Sequence, residues 1–133
     1  MILYYLKLYA CAFAGFLAID FVWLAFVARG FYSKHLGFLL SDRPNWWAAF
    51  VFYVLFVAGL LVFAAVPGIQ AGSLRRALLL GGFFGLVAYA TYDLTNLATL
   101  KGWPASLTVI DLCWGTFVTG VSCALSTWIG SRI

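Results

Sequence analysis

The chain has 133 residues, of which 65% are hydrophobic, 20% aromatic and only 9% charged. A soluble domain of this length could not bury so much apolar surface, so the composition excludes an ordinary soluble protein and favours an integral membrane protein. The formal net charge of +4 comes from eight basic and four acidic residues. Because the basic residues are grouped between apolar runs and form no dense basic face, we expect no nucleic-acid partner.

Four apolar windows follow one another along the chain. Each is about as long as the ~20 residues that an α-helix needs to cross the hydrocarbon layer, and together they predict transmembrane helices at about residues 4–28, 46–66, 78–100 and 107–129. No segment alternates polar and apolar residues as the strands of a barrel do. The sequence therefore predicts an all-α fold, with residues 1–133 forming a single integral membrane domain built as a four-helix transmembrane bundle.

Glycine and proline mark the expected breaks between these helices. Gly30 follows the first window, Pro67-Gly68 follows the second, and Gly102-Trp103-Pro104 predicts a tight turn between the third and the fourth. The apolar stretch before Cys11 is short and contains Lys7, so we interpret the first window as a retained helix and not as a signal peptide.

The connection between the first two helices, residues 29–45, is not an ordinary linker. The stretch GFYSKHLGFLL at residues 30–40 mixes aromatic and aliphatic side chains with Lys34 and His35. Such a mixture is typical of a short interfacial segment with its charges toward water, and this segment would cover whatever lies beneath it. A solvated loop with a few anchoring aromatic residues is the alternative.

With four crossings, both chain termini lie on one face of the membrane, which we call side A, and the first and third connections lie on side B. Three of the four acidic residues, Asp20, Asp93 and Asp111, fall inside the predicted helices, whereas Asp42 lies in a loop. Counted along the helices, the three lie roughly 6 to 12 Å below the side B interface. An ionisable residue at the centre of a membrane helix costs about 3 kcal/mol and is by default a functional hypothesis.

We therefore predict one ligand-binding or proton-binding site near side B. Three ionised carboxylates so close together would repel one another, so we expect at least one proton or a bound cation among them. Neighbouring side chains on the same helix faces, or in the adjoining turns, complete the candidate set: Asp20, Asp93, Asp111, Asn96, Tyr89, Tyr92, Trp114, Trp23, Lys101 and His35. Lys101 and His35 are the candidate cationic partners in this set.

Several of these residues also have plain structural interpretations. An intramembrane aspartate can simply link helices by hydrogen bonds, and tryptophans near helix ends, Trp23, Trp46, Trp47 and Trp103, fit an interfacial belt. Trp114 lies deeper. The three cysteines lie in apolar runs without CxxC spacing, and there is a single histidine, so we expect no cofactor and no metal centre. A hard cation on the three carboxylates and Asn96 is the alternative.

Three functions fit these observations. The leading hypothesis is a small carrier or binding protein whose carboxylate cluster holds a proton, a cation or an amine-bearing ligand. The second is a membrane-embedded enzyme acting on a lipid or isoprenoid, with Asp93 or Asp111 as general acid or base. The third is a non-catalytic subunit or assembly factor. Membrane lipids are the expected partners, with other membrane subunits or a second copy of the chain as alternatives.

The sequence gives little information on orientation, because four cationic residues lie on each side. Side A has Lys7, Arg75, Arg76 and Arg132, and side B has Arg29, Lys34, Arg43 and Lys101. We favour a cytoplasmic side A because Arg75 and Arg76 are adjacent in a short connection.

Several strings in the chain are specific enough to compare with known families. They are YATYDLTNLATLKGWP at residues 89–104, DLCWGT at 111–116, DFVW at 20–23, FYSKHLG at 31–37 and RPN at 43–45. Together they resemble a family of small bacterial integral membrane proteins of unknown function. The resemblance implies a multi-pass, four-helix protein of the bacterial inner membrane, and it brings no established activity or catalytic residue.

Overall fold

The computed structural model describes all 133 residues, Met1–Ile133; 85% of them are helical and none forms a strand. In chain order the elements are α1 (Ile2–Val22), a π-helical turn (Trp23–Ala28), α2 (Arg29–Leu36), α3 (Trp46–Leu60), a second π-helical turn (Leu61–Ala65), α4 (Val66–Ala71), α5 (Leu74–Thr99) and α6 (Ala105–Gly130).

The π-helical turns join their neighbours into continuous helices. As a result, four helices are long and apolar enough to cross a membrane: Ile2–Leu36, Trp46–Ala71, Leu74–Thr99 and Ala105–Gly130. The all-α, four-helix prediction is thus confirmed. We call these the first to fourth spans.

The predicted end of the first helix at residue 28 is wrong. Gly30 lies inside α2, and the helix continues to Leu36. A glycine in a helix interior costs only about 1 kcal/mol, and α2 offsets this by packing Leu36 against Trp103 and Leu107. The segment predicted to lie in the interface is therefore, up to Leu36, a helix that leans over the side B end of the bundle.

The second helix does not end at Pro67-Gly68 either. It continues to Ala71 and stops at Gly72, which has the left-handed φ of 62° that favours glycine. Pro67 lies in the first turn of α4, directly after the π-helical turn. Such a local departure from α-helical hydrogen bonding accommodates the missing N–H group of a proline inside a membrane helix. By contrast, the turn predicted at Gly102-Trp103-Pro104 is present, with Gly102 at φ 75°.

The third and fourth spans form the closest helix pair in the molecule. Glycines allow the contact: a Cβ atom on Gly81 would lie 2.6 Å from the Sγ atom of Cys123, and one on Gly85 would collide with the backbone carbonyl of Gly115. The main hydrophobic core lies mostly toward side A and the membrane centre, where α1, the second span, α5 and α6 meet around Leu8, Phe16 and Leu60.

Toward side B the bundle is less tightly packed. The backbone of α5 approaches the second span closely at the second π-helical turn and at α4, but not along α3. The second and third spans therefore diverge toward side B. The space between them is where the candidate site lies.

Candidate functional site

A cavity of about 430 Å³ lies in the side B half of the bundle. We call it the side B cavity. Residues from α2, the following loop, α3, α5, the last interhelical turn and α6 line it: Tyr32, Leu36, Leu40, Phe52, Ala88, Tyr89, Tyr92, Asp93, Trp103 and Asp111. Eight of the ten are hydrophobic, and the two exceptions are the carboxyl groups. The cavity thus combines apolar walls with one acidic position.

Asp93 is the least satisfied polar side chain of the cavity. It is completely buried, and neither of its carboxyl oxygens has a hydrogen-bond donor. The carboxyl group of Asp111 lines the same cavity. Two ionised carboxylates cannot bond to each other because neither has a donor, but a single proton between them makes one a donor.

Asp111 differs from Asp93 because it has a donor from another helix. The hydroxyl group of Tyr32 on α2 donates a hydrogen bond to its Oδ1 atom. Tyr32 follows Asp20 by 12 residues, which is about 18 Å along a straight helix. A straight helix would therefore carry Tyr32 far above the acids, and the contact is possible because α2 leans over the bundle. α2 therefore covers the acidic position from side B.

Asp20 does not line the cavity, and each of its two carboxyl oxygens accepts one hydrogen bond. Tyr53 on α3 donates to its Oδ2 atom at 2.6 Å, and the indole N–H group of Trp114 on α6 donates to Oδ1 at 3.3 Å. The bond to Trp114 places Asp20 about one helical turn deeper than Asp111. Asp20 links three helices, which matches the alternative prediction of an intramembrane anchor.

Tyr89 forms part of the cavity wall where α5 packs on α6. Its ring lies directly on Gly115, where any side chain would collide with it. Asp93 and Asp111 line the cavity together with Tyr89, whereas Asp20 is not a lining residue.

Comparison with known protein families agrees with this membrane architecture. Residues 5–128 match the profile of a family described as a predicted membrane protein, DUF2177, whose function is unknown. The chain belongs to the DUF2177 family. The resemblance to a family of uncharacterised membrane proteins is therefore confirmed. No curated protein and no solved structure matches the chain, so the function of this DUF2177 protein has to be argued from the site itself.

The remaining predicted site residues occupy different positions relative to the cavity. Tyr92 lines it and packs edge-to-face against Trp103, with ring centroids 5.7 Å apart. Asn96 does not line the cavity; it lies beside the Tyr92 hydroxyl. Trp23 stacks on Trp114 at 4.4 Å, just outside the cavity, and its buried indole N–H group has no acceptor.

The two predicted cationic partners are not brought to the carboxyl groups. The His35 Nδ1 atom lies 2.9 Å from the backbone carbonyl of Phe31, and Lys101 is exposed. The hydrogen bonds to the intramembrane aspartates come from tyrosine and tryptophan instead. The reason is geometric: α2 turns its tyrosine toward the acids and packs His35 against Phe31.

The tryptophans that were predicted to form an interfacial belt differ in exposure. Trp46 and Trp47 are largely exposed at the start of α3, as a membrane-interface belt requires. Trp103 is buried instead, and its indole N–H group donates to the Thr108 Oγ1 atom at 3.1 Å. It therefore forms part of the cover of the cavity.

Sequence reasoning missed the two tyrosines that bond the acids, Tyr53 and Tyr32. Tyr53 did carry a signal, because it is the only residue with a polar side chain between Trp47 and Gln70 in an otherwise apolar span. A single hydroxyl group at such a position indicates an internal partner. For Tyr32 the only signal was the prediction that its segment forms a cover.

The geometry does not support the alternative of a hard cation held by all three carboxylates. No three His, Cys, Asp or Glu side chains are placed so that they could hold one metal ion.

Proposed function

We propose that this protein is a small membrane carrier or binding protein that holds an amine-bearing ligand in the side B cavity. Asp93 carries the proposal, because it is completely buried, faces the cavity and has no hydrogen-bond donor. A buried polar group without a partner is costly. An ammonium group has three donors and would satisfy Asp93 and Asp111 together.

Charge and shape both favour an organic monocation. Asp93 and Asp111 both line the cavity, and an ammonium group can donate a hydrogen bond to each carboxyl group while its charge offsets theirs. Five aromatic side chains line the cavity, Tyr32, Phe52, Tyr89, Tyr92 and Trp103, and aromatic faces attract ammonium groups. The volume of about 430 Å³ falls in the range of small-molecule sites and exceeds what a proton alone requires.

A direct binding experiment tests this proposal. Tryptophan fluorescence of the protein in lipid nanodiscs is titrated with n-butylamine, with n-butanol as the neutral control, because Trp103 lines the cavity. We expect saturable binding of the amine only, and a loss of at least tenfold in affinity for Asp93→Asn. Asp42→Asn, in the exposed loop, is the matched control and should bind like the parent protein. Equal responses to amine and alcohol, or undiminished binding by Asp93→Asn, would refute the proposal.

A membrane-embedded enzyme acting on a lipid or isoprenoid is the second candidate. Its support is the same carboxyl pair next to apolar and aromatic walls, where Asp93 or Asp111 would act as general acid or base. Mass spectrometry of lipids from a deletion strain distinguishes the two, since an accumulated lipid precursor would indicate the enzyme and an unchanged lipid profile the binding protein.

For the location we propose the bacterial inner membrane, with side A in the cytoplasm. The support is the adjacent pair Arg75 and Arg76 next to the short turn at Gly72 and Ser73, since positively charged short connections tend to remain cytoplasmic. In this orientation the side B cavity lies in the leaflet that faces away from the cytoplasm.

A further inference from the structure

The side B cavity has one closed and one open direction. Toward the side B surface it is covered by the cluster of Leu36, Trp103 and Leu107, against which Phe31 and Tyr32 pack. Leu36 and Trp103 are themselves cavity-lining residues and are buried. A polar ligand arriving from water would therefore meet an apolar cover.

The open direction faces the lipid. Phe52 on α3 and Tyr92 on α5 line the cavity and are nevertheless 50% and 59% exposed. Phe52 and Tyr92 lie about 9 to 11 Å below the side B ends of their helices, counted at 1.5 Å per residue. At that depth the exposed surface of a transmembrane helix contacts hydrocarbon.

The opening is a consequence of how the helices pack. The backbone of α5 approaches the second span closely at the second π-helical turn and α4 but not along α3, so a gap between α3 and α5 widens toward side B. The only carboxyl groups of the cavity, Asp93 and Asp111, are 0% and 5% exposed, whereas Phe52 and Tyr92 are half exposed. The cavity is thus amphipathic, with an acidic inner end and an apolar, lipid-facing mouth.

We infer that the ligand is an amphiphile, an aliphatic chain with a terminal amine, which enters sideways from the side B leaflet between α3 and α5. The inference rests on the proposed binding of an amine and adds the class of ligand and its route. The amine reaches Asp93 and Asp111, while the chain passes Phe52 and Tyr92 into the bilayer. A water-soluble amine of the same head group would lack the contacts with the mouth.

Photocrosslinking in nanodiscs tests this route. The probe is a hexadecylamine with a diazirine at mid-chain, and the matched control is the corresponding alcohol. We expect the amine to label peptides of α3 and α5 around Phe52 and Tyr92, and an excess of n-butylamine to reduce this labelling at least fivefold. The alcohol should label lipid-facing residues of all four spans without preference.

Two variants make the test specific. Ala88→Phe places a ring in the cavity, and we expect it to reduce labelling at least fivefold, whereas Val87→Phe, on the neighbouring position that faces away from the cavity, should leave it unchanged. Asp93→Asn should also reduce labelling and serves as the second variant if Ala88→Phe does not fold.

The outcomes separate this inference from the proposed function. Labelling spread evenly over the four spans, together with Asp93-dependent binding of n-butylamine, would overturn the lateral route and leave the amine site standing. Labelling at α3 and α5 that is unchanged in Asp93→Asn would refute both the amphiphilic ligand and the binding of its amine to Asp93. Absence of both labelling and n-butylamine binding would overturn both proposals.

Discussion

At the scale of single residues, the buried aspartates are of two kinds. Asp20 receives two hydrogen bonds, from Tyr53 and Trp114, whereas Asp93 receives none. The first arrangement is what a helix anchor requires, whereas the second leaves a buried carboxyl group without a donor, and our proposal of a binding role rests on that difference. We propose that the two alternatives left open by the sequence apply to different residues.

Removal of the donor to Asp20 should destabilise the fold. In Tyr53→Phe, a buried carboxyl oxygen loses its partner, for which we expect a decrease of about 1–3 kcal/mol in the free energy of unfolding. Tyr5→Phe is the control, because Tyr5 is exposed near the start of α1. Equilibrium unfolding in mixed micelles measures both. A Tyr53→Phe protein as stable as the control would show that Asp20 is no anchor.

The sequence predicted the acids of this site but not their partners. Counting residues along the helices placed Asp20, Asp93 and Asp111 near one interface, and the structure brings Asp93 and Asp111 into the wall of one cavity but leaves Asp20 out of it. Which acid obtains a donor depends on how each helix is rotated and on how far α2 leans, and neither is encoded in spacing along one helix. The sequence therefore indicated that the hydroxyl group of Tyr53 has an internal partner, but it could not show that this partner is Asp20 or that Tyr32 bonds Asp111.

At the scale of elements, the helix ends show why breaker residues misled the prediction. Gly30 and Pro67 were expected to terminate helices, yet each lies just after a π-helical turn, inside a continuous span. π-helical turns insert a residue into the α-helical pattern and often accompany functional sites. The first one directly precedes α2, which carries Tyr32 to Asp111.

Close packing of α5 on α6 positions the acids, and one glycine tests it. A methyl group in Gly85→Ala would collide with the Gly115 carbonyl and the Thr119 side chain. We expect a loss of about 1–3 kcal/mol in unfolding free energy and weaker amine binding, since Asp93 and Asp111 would move apart. Gly82→Ala is the matched control, because its nearest atom is 3.6 Å away. Equal thermal stability of the two variants in detergent would contradict this packing.

At the scale of the whole molecule, the two ends of the bundle differ. The main core includes the side A half, whereas the second and third spans separate toward side B and leave the cavity between them. Composition and hydropathy were sufficient to predict four spans, because the bilayer thickness sets the length of the apolar stretch that each span needs. The gap could not be predicted, since it arises from the relative tilt of two helices.

The proposed orientation has a direct test at this scale. A fluorescent protein fused after Ile133 should be fluorescent in bacterial cells, and alkaline phosphatase at the same place inactive, because side A is proposed to be cytoplasmic. Phosphatase inserted at Ser41-Asp42, in the side B loop, should be active. The reverse pattern would show that side B is cytoplasmic and that the cavity lies in the cytoplasmic leaflet.

The central claim is that Asp93 serves binding and not folding, and one measurement tests it most directly: the free energy of unfolding of the parent protein and of Asp93→Asn, each with and without n-butylamine. At 100 times its dissociation constant the amine should stabilise the parent by about 2.7 kcal/mol. Without amine, Asp93→Asn should be at least as stable as the parent, because an asparagine amide can donate to Asp111, and the amine should not stabilise it further. A clear loss of stability in Asp93→Asn without ligand, with no effect of Asp42→Asn, would contradict the account and make Asp93 a structural anchor.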